Sequence, residues 1–268
     1  MYVVRDRPVE TRPQIISVDR LSMTYPSRSG PVTALDDIRF DINSGDFVSI
    51  VGPSGCGKST LLRILCGLLS ATSGSASLRG TVIAGPSRDV GVVFQAPVLF
   101  PWRTVLRNVM LPVDVQRRDR GDAAARAREL LETVGLAGFE ERYPWELSGG
   151  MQQRVSIARA LINDPAILLM DEPFGALDAM TREQMNEELQ RIWLERHKTV
   201  LFITHSIPEA VFLSDRVLVM TPRPGRIADD VRVDLPRPRS LEVMTTSEFG
   251  SAVKRIRHCF SSRGGLDA

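Results

Sequence analysis

The sequence predicts an α/β fold, and three observations carry that prediction. Short apolar runs at Ile167–Met170 and Val200–Thr204 have the length of parallel strands covered on both faces. Helix-like segments at Thr181–His197 and Ser206–Leu213 alternate with them. A glycine-rich turn from Gly52 to Gly57 separates an apolar strand from a stretch with helical spacing. The length agrees, since 268 residues suit one large α/β domain or one with a small appendage. Hydrophobic residues make up 43% and charged residues 25%, which allows a real core and excludes disorder or a collagen-like repeat.

In chain order, residues 1–14 are polar, carry Pro8 and Pro13, and read as a loose N-terminal arm. From Ile15 to Ile50 the pieces IISVDRL, ALDDIRFDI and DFVSIVG are β-like, broken by the polar insert Pro26–Val32 and the turn Asn43-Ser44-Gly45. That pattern predicts an antiparallel sheet feeding a buried strand at Phe47–Val51. Helical spacing runs from Lys58 to Leu69, and residues 73–95 read as short strands again. Between Arg107 and Ala160 the character is helical, most clearly at Asp122–Val134, which is rich in Ala, Leu, Arg and Glu. The tail after Val231 carries Pro236 and Pro238 and a helical piece at Ser247–Phe260, and no internal repeat is present.

Charge and cysteine usage exclude several classes. Lys plus Arg number 34 against 32 for Asp plus Glu, a balance of +2 that gives no reason to expect nucleic acid as a partner. Cys56, Cys66 and Cys259 are too few and too widely spaced for a disulfide framework or a structural zinc site. Arg5, Asp6, Arg7 and Glu10 break any apolar leader, so no signal peptide is expected. The longest apolar runs fall far below the roughly 18 residues of a membrane span. The expectation is a chain in a reducing cytosol that does not itself cross a membrane.

The residues Gly52, Pro53, Ser54, Gly55, Cys56, Gly57, Lys58, Ser59 and Thr60 contain the pattern G-x-x-x-x-G-K-S between an expected strand and an expected helix. Glycines there let backbone N–H groups turn inward as an anion nest, and the helix N-terminus adds its positive end. Lys58 can reach the β- and γ-phosphates, and the Ser59 hydroxyl can ligate Mg²⁺. This is a nucleoside triphosphate site. The second half of the chemistry lies at Ile167-Leu-Leu-Met-Asp-Glu172, where an apolar strand ends in two carboxylates at the usual ligand crevice of an α/β sheet. Asp171 would hold Mg²⁺, and Glu172 would accept a proton from, or orient, the attacking water. Alone, such an acidic pair also occurs for structural reasons; paired with the phosphate loop it reads as functional.

One further motif narrows the family. Leu147-Ser-Gly-Gly-Met-Gln-Gln-Arg154 resembles the signature sequence of ATP-binding cassette (ABC) proteins, usually LSGGQ, with Met151 where Gln is commonest. Ser148 can cap a helix, and Gly149 and Gly150 expose N–H groups to an anion. The resemblance covers about Ile15 to Ile227. It implies that Tyr25 stacks on adenine, although a lone Tyr there would equally suit a half-buried surface aromatic. It implies that Gln95 is the Q-loop glutamine sensing the γ-phosphate and Mg²⁺, that Ala176-Leu177-Asp178 is the D-loop, and that His205 is the switch histidine on the γ-phosphate. The implied metal set is Ser59, Gln95 and Asp171, and the catalytic set is Lys58, Gln95, Glu172 and His205. The implied fold is a P-loop NTPase (ABC ATPase) core at residues 15–235, with an antiparallel β subdomain and an inserted α-helical subdomain at about 96–160, followed by a C-terminal tail at 236–268.

The same resemblance implies two such subunits facing head to tail, identical copies in the simplest case. Each ATP lies between the phosphate loop of one copy and Ser148, Gly149 and Gly150 of the other. The neighbourhood Phe94 to Val109 resembles that of importers for nitrate, sulfonates and taurine, as do Leu111-Pro112, Ala210–Val217 and Thr221–Ile227. The implied role is the ATPase of a bacterial importer at the cytoplasmic face of the inner membrane. It would be bound peripherally to transmembrane permease subunits and served indirectly by a substrate-binding protein. The segment Leu99–Arg103 would receive a coupling helix of the permease, with Phe100, Pro101 and Trp102 as an apolar contact; a core place for Trp102 is the other reading. An importer for another cargo, such as a thiamine-precursor pyrimidine, is the alternative within transport. A soluble cassette ATPase acting on DNA or ribosomes is the alternative outside it; such relatives carry an inserted coiled coil or a second cassette, and this sequence shows neither.

Overall fold

The computed structural model describes residues 12–28, 30–116 and 121–261. The expected arm at 1–14 therefore lies outside the described residues except for Arg12, Pro13 and Gln14. Arg12 pairs with Asp46 at 3.2 Å, and Gln14 already opens a strand. The chain divides into two compact units, one joining residues up to Pro86 with those from Ile203 onward, the other spanning Ser87–Phe202.

The first part of unit 1 is β-rich. Strands β1 (Gln14–Tyr25) and β2 (Val32–Asn43) pair antiparallel, with Ile16 opposite Ile42, Val18 opposite Phe40 and Leu21 opposite Ile38. All six side chains are buried, so these cross-strand pairs form the core of the sheet. The strands run longer than their apolar pieces suggested, because Arg20 (φ 47°) and Asp37 (φ 51°) absorb register shifts that would otherwise turn polar residues inward. Strand β3 (Phe47–Val51) is buried along its whole length, as expected.

Helix α1 (Lys58–Leu65) follows the glycine turn and stops four residues short of the expected Leu69. Its end is set by Gly67, which has φ +71° and donates to Ile64 O at 2.9 Å, while Leu68 N–H reaches Arg63 O at 2.9 Å. That is a left-handed helix stop, which the apolar spacing of Leu68 and Leu69 conceals. A Cβ at Gly67 would also stand 2.1 Å from the Gly85 backbone. Strands β4 (Ser73–Leu78) and β5 (Thr81–Val82) complete the antiparallel sheet, β4 lying against β1.

Unit 2 opens with β6 (Val90–Val93), followed by α2 (Val105–Val109), α3 (Leu111–Val115), α4 (Gly121–Thr133), the 3-10 turn Pro144–Glu146 and α5 (Gly149–Leu161). Strand β7 (Ile167–Asp171) pairs parallel with β6, Val90 opposite Ile167 and Val93 opposite Met170. Helix α5 lies on β6, and only glycine permits it, because a Cβ at Gly91 would be 2.6 Å from Ala160 O. Helix α6 (Ala179–Arg196) buries Met185, Leu189 and Ile192 at helical spacing.

Strand β8 (Thr199–Thr204), wholly buried, carries the chain back to unit 1. There α7 (Ile207–Leu213) packs on β3 and on β9 (Arg216–Met220), and β9 runs parallel to β3. Strand β10 (Ile227–Arg232) pairs antiparallel with β9. The sequence reading placed no strand there, since Asp229 and Asp230 interrupt the apolar pattern; Arg216 neutralises Asp230, and Val231 supplies the buried contact. Helix α8 (Ser247–Ser261) lies against α7 and β10 through Phe249, Val253 and Ile256. Among the described residues no helix is long and apolar enough to cross a membrane.

Candidate functional site

In unit 1 the phosphate-loop residues form a compact arch between β3 and α1. Gly52 must lie flat, because a Cβ there would stand 2.8 Å from Cys56 Sγ and 3.0 Å from Met220 Cβ. Gly55 (φ +76°) and Gly57 (φ +106°) take left-handed conformations that turn successive peptide groups inward. Gly57 caps α1 with no side-chain hydrogen bond, and the first turn of α1 holds no acidic residue. The helix start is thus open to an anion and free of repulsion. Lys58 is buried, and its Nζ donates to Gly52 O at 2.8 Å and Pro53 O at 3.1 Å. Cys56 N–H reaches the same Pro53 oxygen at 3.3 Å. Two donors therefore converge inside the arch on one oxygen, where a phosphate oxygen could compete. Burial pushes the Cys56 thiol up, keeping it protonated at neutral pH. Tyr25, at the end of β1, meets Thr60 Oγ1 through its hydroxyl at 3.3 Å, which sets its half-buried ring beside α1. Ser59 is exposed.

His205 follows β8 in the same unit and is exposed. The backbone after it is braced: Ser206 N–H donates to Thr204 Oγ1 at 3.0 Å, the Thr204 hydroxyl donates to Glu209, and Ser206 Oγ accepts from Glu209 N–H at 3.4 Å to cap α7. These bonds tie the end of β8, next to the histidine, to the first turn of α7.

In unit 2, Asp171 and Glu172 stand half-buried at the C-terminal end of β7, and Glu172 takes a left-handed φ of 44°. The structure brings Glu172 and Gln95 together around Gly175. A Cβ at Gly175 would lie 3.2 Å from Gln95 Nε2 and 3.6 Å from Glu172 Oε2, so both side chains use the space that glycine leaves. Ser148 caps α5 by accepting Met151 N–H at 3.3 Å, as its sequence position suggested, and Gly149 is exposed at the first turn. Gly150 faces Thr181, whose Cγ2 would be 3.2 Å from an added Cβ, so the signature start lies beside the start of α6. Asp178 caps α6, accepting the Thr181 N–H at 3.0 Å and its hydroxyl at 2.7 Å; these bonds hold its carboxyl below the usual value.

Contacts that sequence reasoning missed tie these motifs together within unit 2. Gln153 and Arg159, on the helix that the signature opens, reach the segment on either side of Gln95. Gln153 Nε2 donates to Phe94 O at 3.1 Å, and Arg159 donates to Pro97 O at 2.7 Å and Val98 O at 2.8 Å. No local pattern marks either residue, because the contacts span about 60 positions. The same segment continues to Phe100 and Trp102, whose rings stack at 5.1 Å with Trp102 70% exposed, so the core reading of Trp102 is not met. Buried Asn108 holds the turn beneath them, accepting Phe100 N–H at 2.8 Å and donating to the Phe100, Arg103 and Thr104 carbonyls.

The donors present suit the groups expected. Within unit 1 an ammonium, inward N–H groups and an uncapped helix start match a polyphosphate, and within unit 2 Gln95 and Asp171 carry oxygen atoms of the kind that a hard cation such as Mg²⁺ takes.

The chain is similar to known proteins along most of its length. A family model described as ABC transporter matches residues 35–175. The aliphatic sulfonates import ATP-binding protein of Bacillus cereus is 43% identical over 251 residues, covering 94% of this chain and 97% of that one. The taurine import ATP-binding protein of Rhizobium johnstonii is 51% identical over 224 residues, covering 83% and 86%. Among solved structures, a dimeric ATP-binding cassette in a post-hydrolysis state with ADP and Pi superposes with a TM-score of 0.72 at 34% identity, covering 83% of this chain and all of that one.

Proposed function

Because the chain belongs to the ABC transporter family and has the fold of an ABC ATPase, we propose that it is the ATP-hydrolysing subunit of an importer for small organic sulfonates, taurine among them. The near full-length likeness to the sulfonate import ATP-binding protein is the observation that carries the cargo class.

ATP supplies the phosphoanhydride whose cleavage powers transport, with Mg²⁺ offsetting charge on its phosphates. On this reading Lys58 exchanges the Gly52 and Pro53 carbonyls for phosphate oxygens, so its donors are already aimed where charge arrives. Ser59, Gln95 and Asp171 hold the cation, and Tyr25 stacks on the base. Glu172 orients the water and takes its proton, and His205 contacts the γ-phosphate. A second copy of this chain contributes Ser148, Gly149, Gly150 and Asp178, so that bound nucleotide clamps the dimer and hydrolysis releases it. Transmembrane permease subunits dock on the Phe100–Trp102 surface, which places the protein peripherally at the cytoplasmic face of the inner membrane. A substrate-binding protein delivers cargo to them on the far side.

The test is uptake of labelled taurine, an alkanesulfonate and nitrate in cells lacking this chain, with wild type or Glu172→Gln added back. Loss of sulfonate or taurine uptake, restored by wild type alone, is expected. Restoration by Glu172→Gln would remove Glu172 from the catalytic role, and undiminished uptake of both sulfonates would refute the cargo class.

A further inference from the structure

The loop between β9 and β10, Thr221 to Arg226, is bound tightly to the phosphate loop, and the roles assigned above give it no task. Arg223 is exposed, yet its Nε and Nη2 both donate to Gly55 O, at 3.3 and 3.2 Å, across 168 positions of sequence. Two residues on, Gly225 passes so close that an added Cβ would stand 2.0 Å from Cys56 O. The loop is itself anchored. Gly225 N–H donates to Ala34 O and Asp36 N–H to Gly225 O, both at 2.9 Å, and Arg226 pairs with Asp36. Thr221 closes it internally, its Oγ1 donating to Pro224 O at 3.1 Å and accepting Arg226 N–H at 2.9 Å.

The consequence follows from the planarity of the peptide. The Gly55 carbonyl and the Cys56 N–H belong to one trans peptide unit and point in opposite directions. Glycine at Gly55 leaves that unit free to rotate, because its φ and ψ cost little in either sense. A guanidinium holding the carbonyl on the outside holds the N–H on the inside, where it meets Pro53 O beside the Lys58 ammonium.

We propose that Arg223 is a positioning residue for the phosphate loop, fixing the Gly55–Cys56 peptide so that its N–H faces the phosphates, with Gly225 as the close-fitting brace behind Cys56. The inference rests on the phosphate-loop reading and adds to it a residue that acts through the loop backbone. A charge-assisted hydrogen bond at an exposed site is worth about 1 kcal/mol, so losing it corresponds to roughly a fivefold loss of affinity.

The experiment measures ATP affinity by fluorescent-nucleotide titration, steady-state ATPase kinetics and thermal stability on the purified full chain and its Arg223→Ala, Arg223→Lys and Lys58→Ala variants. Arg223→Ala is expected to raise Kd and KM for ATP about fivefold with kcat and Tm close to wild type. Arg223→Lys, which keeps one donor, is expected to recover most of the affinity. Wild-type affinity in Arg223→Ala, with binding lost in Lys58→Ala, would overturn the inference and leave the phosphate site standing. A fall in Tm with unchanged Kd would overturn it too, showing a surface tie without a positioning role. Wild-type binding in Lys58→Ala would overturn the phosphate-loop reading itself, and the inference with it.

Discussion

Arg239 offers a sharp test of what holds the C-terminal segment in place. Its side chain is buried to 3% exposure, and its guanidinium donates to five backbone carbonyls. Nη1 donates to Val211, Phe212 and Ser214 O at 2.8–2.9 Å, and Nη2 to Leu235 O at 3.1 Å and Val233 O at 3.5 Å. Three of these carbonyls close the end of α7, where helical carbonyls lack partners in the chain itself. Burial, with the neighbouring Arg237 charge, pushes the Arg239 guanidinium down to about 9, the Asp215 charge opposing the shift. Arg239→Ala removes all five bonds and leaves dry carbonyls behind. Breaking a buried charged network costs about 3–5 kcal/mol, and the burial penalty recovered here places the loss near the lower end, at about 3 kcal/mol. For a chain of this size that corresponds to a fall in Tm of roughly 10 °C. Calorimetry on Arg239→Ala and Arg239→Met reads it, the Met variant refilling the hydrocarbon volume so that cavity and hydrogen-bond losses separate. If Arg239→Met unfolds within about 1 kcal/mol of wild type, the carbonyls have found other donors and the clamp argument fails.

Glu172→Gln is expected to bind ATP as wild type does and to lose at least about 10²-fold in kcat, read by single-turnover hydrolysis; fast steady turnover would remove the carboxylate from the reaction. Trp102→Ala should leave Tm and intrinsic ATPase activity unchanged, because the ring is 70% exposed, while uptake in cells falls; unchanged uptake would count against permease docking there. The Asp178 carboxyl is held below its ordinary value of 3.8 by Thr181, so the folded state binds fewer protons and the cap stabilises above that pH. Asp178→Ala should therefore lower Tm at pH 7, and the difference from wild type should close as pH falls below about 3.8; a difference independent of pH would show that the cap does not act through its charge.

The local geometry of the candidate site was legible in the sequence wherever it depends on residues a few positions apart. The arch from Gly52 to Thr60 is local: glycine φ values, a lysine and a helix start are all set within nine residues, and the structure shows Gly55 and Gly57 left-handed and Lys58 folded over the loop. The Ser148 cap and the strand ending at Asp171 are local in the same sense, as is the helix at Ser247–Ser261. Where local signals failed, longer-range forces had overridden them. Helix α1 ends at Leu65 in spite of apolar Leu68 and Leu69, because Gly67 must turn against Gly85. Strand β10 forms through two aspartates, because Arg216 and β9 are there to receive it.

Tertiary structure alone decided which distant groups brace the motifs. Arg223 on Gly55, Arg159 on Pro97 and Val98, Gln95 with Glu172 around Gly175, and Arg239 at the end of α7 join residues that no periodicity links. A sequence specifies its backbone conformation and helix caps through nearest neighbours, so those read directly. The partner of a long polar side chain is whichever carbonyl the fold delivers to it, and exposure is likewise a property of the packed chain, which is why Trp102 could be placed on the surface only once its surroundings were known.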